Sequence, residues 1–146
     1  MPTAAKLFAA IAFALLAFFV AEILKPHMQQ GTQFGYFSFY CMLIGLAAGW
    51  RIMGPAAGRG WWEAINAGVR TAVVMLAVAL VIFSIYKMLE LAFLKRFDGP
   101  MDAIVGIFGV GVDYLMQILA WDVIAVLVVG GALDGILAEW AARRWK

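Results

Sequence analysis

The chain has 146 residues, of which 66% are hydrophobic and only 14% charged, with a net charge of +2 at neutral pH. That charged share lies well below the roughly 25% of soluble domains, and a soluble domain this apolar would expose patches large enough to aggregate. An ordinary soluble domain is therefore excluded, and so small a charge, gathered at the chain ends and in loops, gives no footing for a nucleic-acid partner. A lipid bilayer is the solvent that suits such a surface. The sequence predicts an all-α membrane protein forming one transmembrane helical domain over 1–146. It has four transmembrane helices plus an amphipathic helix, interfacial or half-inserted, before the last span.

The first span covers about 6–24, KLFAAIAFALLAFFVAEIL, close to the roughly 20 apolar residues a crossing requires. Lys6 is its one leading basic residue and no small-x-small cleavage site follows, so it reads as a permanent span and not a signal peptide. Ala10, Ala14, Ala17 and Ala21 recur at steps of four, three and four, a stripe that lets helices approach closely in lipid. Pro26 stops this helix, and a polar loop follows. The second span covers about 36–53. Phe34, Tyr36, Phe37, Phe39 and Tyr40 crowd its first end and Trp50 its other, the aromatic belt expected at the two interfaces. Gly45 and Gly49 in this span form a GxxxG, a helix-packing face. Gly54-Pro55 is read as its end, with a short surface helix from Trp61.

The third span covers about 69–94 and is long enough to tilt or project. Lys87 and Glu90, three residues apart, can pair across one turn but read first as snorkelling interface charges. After the FDGP turn, the segment 101–119 is amphipathic. Asp102, Gly106, Gly109, Asp113 and Gln117 share one face, with Ile104, Ile107, Phe108, Leu115 and Ile118 opposite. The last span covers about 122–142, with Asp122 placed to cap its start. Gly131, Gly135, Ala138 and Ala142 form its packing stripe, and Asp134 sits inside that stripe.

Basic residues choose the topology. With four spans and the N-terminus inside, Lys6, Arg51, Arg59, Arg70, Arg143, Arg144 and Lys146 lie inside, seven residues against three (Lys25, Lys95 and Arg96) outside. A fifth span would move the last three out and give four against six. The positive-inside rule selects four spans with both termini cytoplasmic.

Enzyme constellations are missing. His27 is the single histidine, and with Met28 it offers two soft ligands, too few for copper. Cys41 has no partner thiol and lies in an apolar run, so thiol chemistry is not expected. GPAAGRG follows no strand and fails the context of a nucleotide loop. The sequence therefore implies no enzyme, cofactor or metal. The remaining polar candidates are Asp134, an acid at membrane depth, and the guanidinium groups of Arg51 and Arg59, which suit oxyanions but also satisfy the ordinary charge bias. Asp102 and Asp113 offer an acidic partner surface at the other end.

Taken together, MPTAAKL, GWRIMGPAAGRG, RFDGP and the C-terminal GG-x-L-x-G-x-L-AEWAARRW resemble the TrgA family of small membrane proteins, in order and over nearly the whole chain. The matching positions are Gly49, Trp50, Arg51, Gly54, Gly58, Arg59, Gly60, Asp98, Gly99, Pro100, Glu139, Trp140, Arg143 and Arg144. The resemblance implies a role in tellurite resistance at the inner membrane of an alphaproteobacterium, and supplies no catalytic residue. The alternative class is an accessory subunit packed against a larger respiratory or photosynthetic complex, which the small-residue stripes suit. A third is a small channel or exporter, and an exporter would have to oligomerise to enclose a path.

Overall fold

The computed structural model describes residues 3–27, 36–93 and 98–145. These are helical with no strand among them: α1 (Thr3–Leu24), α2 (Phe37–Ala48), α3 (Gly54–Ala56), α4 (Trp61–Phe93), α5 (Pro100–Ile118) and α6 (Trp121–Arg144). Four stretches among the described residues are long and apolar enough to cross a membrane: Ala4–Leu24, Ser38–Ala56, Trp61–Glu90 and Trp121–Arg144. The chain is an all-α, multi-pass membrane protein. Phe34, Met28 and the basic pair Lys95-Arg96 lie outside the described residues, as do the side chains of His27, Phe37, Gln117 and Ile118.

Small residues set how the bundle closes. Ala10, Ala14, Ala17 and Ala21 are all buried on α1. Ala10 and Ala17 meet the glycine face of the second helix: a methyl group on Gly45 would collide with the Phe13 carbonyl oxygen and Ala17, and one on Gly49 would lie 2.5 Å from the Ala9 carbonyl oxygen and 2.9 Å from the Ala10 Cα. Lipid tails are as apolar as the helices, so close backbone approach replaces the hydrophobic drive in holding such a pair. Gly131 and Gly135 of α6 lie against α4 in the same way, at Gly68 and Ala64, and Ala138 is fully buried below them. Phe13, Met53 and Val123, each wholly buried, fill the space between these seams.

Gly54-Pro55 does not end the second helix. After Ala48 the backbone widens into a π-helical turn over Gly49–Met53, then runs on through α3. Proline lacks an N–H and its ring crowds the carbonyl one turn back. In the widened turn the Gly54 N–H reaches the Gly49 carbonyl five residues back, so a regular four-residue ladder is already set aside where the proline enters. The helical path ends at Ala57, whose ψ of 145° is extended. The segment from Trp61 is likewise no separate surface helix but the first two turns of α4, which is continuous for 33 residues. Asp122 does not cap α6: the N-cap is Ala120, with no side-chain bond, and Asp122 stands in the first turn, where its charge faces the helix dipole.

Tryptophans mark the bilayer. Trp61, Trp62, Trp140 and Trp145 are exposed at the end of the bundle where the two chain termini meet, fixed by the Phe8–Trp145 ring stack with centroids 5.0 Å apart. Trp121 is 87% exposed at the other end. Along α6, Trp121 and Trp140 are separated by about 28 Å at 1.5 Å per residue, close to the ~30 Å hydrocarbon core.

At about 50 Å, α4 is longer than that core. Its first half is covered by α6. Gly111 of α5 faces Ser84 and Leu80, so α5 packs on the second half, which overshoots the bundle. Only Leu119 and Ala120 separate α5 from α6, and both helices pack on α4, α6 along its first half and α5 along its second. Asp102 and Asp113 are exposed on one side of α5. Exposure of Met101, Val105, Phe108, Val112 and Met116 leaves a second, apolar side uncovered as well.

Candidate functional site

The polar centre of the molecule is a carboxylate. Glu139, on the last turns of α6, is 1% exposed. A buried carboxylate must be hydrogen-bonded or it destabilises the fold by several kcal/mol. Here one oxygen, Oε2, accepts the Gly58 backbone N–H at 2.6 Å, and the other, Oε1, accepts the Arg143 Nε–H at 2.9 Å. The guanidinium of Arg143 lies 5.0 Å over the Trp61 ring, a cation–π contact. Glu139 thus ties together α6, the loop after α3 and the first residue of α4.

That loop needs its glycines. Gly58 and Gly60 have φ of +92° and +130°, the region that side chains other than glycine resist. Arg59 stands between them with its side chain exposed. Arg51 is exposed on the π-helical turn. Both sequence-chosen arginines therefore belong to the segment joining α2 to α4, and only Arg59 is mounted on the clamped loop. A smaller latch holds the opposite end: Glu22 of α1 accepts bonds from Ser38 Oγ of α2 at 2.8 Å and from Lys25 Nζ at 2.6 Å. Lys87 and Glu90 pair at 3.0 Å on the overshooting part of α4, both partly exposed, which adds little to stability.

Asp134 lies one turn above the clamp between Gly131 and Gly135, and is 8% exposed. Its Oδ2 has no hydrogen-bond partner among the described residues. No other acid, histidine or cysteine joins it in a group able to hold a metal, among the described residues. Asp113 is exposed on α5, apart from Asp134. An unpaired buried carboxyl opposes folding, so Asp134→Asn should unfold at or above the wild-type midpoint in a detergent thermal melt. A clear fall would mean that Asp134 holds a partner essential to the bundle.

Sequence reasoning passed over Glu139 as a site, although its spacing to Arg143 gives an i,i+4 pair. It also passed over Gly68, on which a methyl group would strike the Gly131 carbonyl oxygen. The signal was present as Ala64-x-x-x-Gly68-x-x-x-Ala72. No family model, curated protein or solved structure matches the chain.

Proposed function

We propose that this chain is a non-catalytic inner-membrane protein that contributes to tellurite tolerance, as its resemblance to the TrgA family implies. Both termini and the Glu139-clamped loop face the cytoplasm in this reading. The observation that supports it is the clamp itself. A buried carboxylate and two positive-φ glycines are spent on holding the four-residue turn that presents Arg59. A planar, permanently charged guanidinium on a rigid mount suits recognition of an oxyanion, and Arg51 lies on the helical path leading into the same turn.

The test is tellurite tolerance of cells carrying Arg59→Ala, Arg51→Ala or both. Tolerance should fall toward that of cells lacking the protein, most in the double variant, with membrane levels unchanged on immunoblots. Undiminished tolerance in the double variant at normal levels rejects the anion role.

An accessory-subunit role is the second reading, and a different observation favours it. The apolar side of α5 and the exposed Ile85, Leu89 and Phe93 of α4 stand beyond the bundle, uncovered by the other described residues. Apolar surface in that position is a feature of chains that pack on larger assemblies. Gentle extraction followed by native electrophoresis separates the two: migration at monomer size alone removes the accessory reading and leaves the first intact.

A further inference from the structure

We infer that the α1–α6 face is a binding site for one anionic phospholipid, its phosphate on Arg144 and an acyl chain in the groove above. The groove is lined by Leu16 and Phe19 of α1 and by Val126, Val129, Gly130 and Leu133 of α6, and its volume is about 380 Å³. That is more than twice the roughly 150 Å³ that accepts a benzene ring in an apolar protein cavity. Its lining is wholly apolar and it opens sideways from the bundle. Gly130 lets the Leu16 side chain pack directly on the α6 backbone at the groove floor, since a methyl group there would run into it.

The helix period carries this face down to the charge. Val126, Gly130, Leu133, Leu137, Trp140 and Arg144 follow one another at steps of four, three, four, three and four, so they lie along one side of α6. Leu133, Leu137 and Trp140 are all exposed along it. Arg144 is separated from Leu133 by about 16 Å at 1.5 Å per residue, close to half the ~30 Å hydrocarbon thickness. A lipid whose chain occupies the groove therefore has its phosphate at the depth of Arg144. The guanidinium of Arg144 is held 5.2 Å over the Trp140 ring and has no carboxylate partner among the described residues. Arg143, by contrast, is committed to Glu139. A guanidinium steadied by an indole at the interface and free of a counter-ion matches a phosphodiester, and a net negative headgroup is favoured over a zwitterionic one. This site is separate from Arg51 and Arg59 and stands whether or not they contact tellurite.

The full chain, purified in mild detergent, is incubated with phosphatidylglycerol or phosphatidylcholine, and bound lipid is counted by native mass spectrometry. The wild type should retain one phosphatidylglycerol in preference to phosphatidylcholine. Arg144→Gln should weaken phosphatidylglycerol retention about fivefold, the equivalent of the ~1 kcal/mol that one basic residue contributes near an anionic surface, and leave phosphatidylcholine unchanged. Val129→Phe, which enters the groove from its exposed rim, should reduce retention of both. Lys87→Gln, at the far end of the molecule, should change neither. Equal retention of the two lipids by the wild type, or full retention by Arg144→Gln, overturns the proposal. Displacement of the lipid by millimolar inorganic phosphate also overturns it, by assigning Arg144 to a free oxyanion.

Discussion

Replacing Glu139 with alanine should lower stability by about 2–4 kcal/mol and open the adjoining loop to trypsin. The loss has two parts. The Gly58 amide loses its acceptor, and Arg143 loses the bond that holds it over Trp61. Glu139→Gln keeps an acceptor for Gly58 and loses the charge, so it should fall between wild type and alanine. Thermal unfolding in detergent measures the stability, and the rate of tryptic cleavage after Arg59 measures the loop. A melting midpoint and cleavage rate equal to wild type in Glu139→Ala would show that the clamp does not hold the loop.

Gly68→Ala is expected to destabilise by about 1–3 kcal/mol, the usual range for forcing extra volume into a packed seam. The contact there is backbone to backbone: the new methyl would meet the Gly131 carbonyl oxygen, which cannot rotate away as a side chain can. Gly109→Ala is the matched control. A methyl group on Gly109 has open space around it, and alanine is the better helix former by about 0.5–1 kcal/mol. That variant should be neutral or slightly stabilising. If both variants melt alike, the α4–α6 seam is not set by close glycine contact.

Much of the architecture was legible because a bilayer leaves so few solutions. Long apolar runs must be helices, and their small-residue faces must meet. The alanines of α1 and the Gly45–Gly49 pair were readable as one stripe each, and the structure joins them to each other. Their pairing was not readable, since a stripe names a face and not its partner. Pro55 misled for a related reason. Proline breaks a regular helix, but a π-helical turn just before it had already changed the hydrogen-bond spacing, and no residue type announces that turn. At Trp61 the aromatic pair suggested an interface helix, whereas the helix simply starts at the interface and continues inward.

Glu139 was hidden by sequence distance. Locally it reads as one half of a helix-end ion pair with Arg143, a kind of contact worth little when exposed. Its other partner, Gly58, is 81 residues away, and nothing in either segment encodes that meeting. Asp134 was placed inside the small-residue stripe by counting along α6, and it is buried there. Its unpartnered oxygen is a property of the surrounding helices and had no sequence signal.

Sidedness of labelling tests the four-crossing architecture most directly. In a Cys41→Ala background, Asp102→Cys marks the start of α5, and a cysteine appended after Lys146 marks the chain end. Each is treated with a membrane-impermeant maleimide in intact spheroplasts and again after lysis. With α5 docked on the overshooting half of α4 and α6 the last crossing, the two positions must label from opposite sides of the membrane. Labelling from the same side would make α5 a fifth crossing and contradict the fold described here.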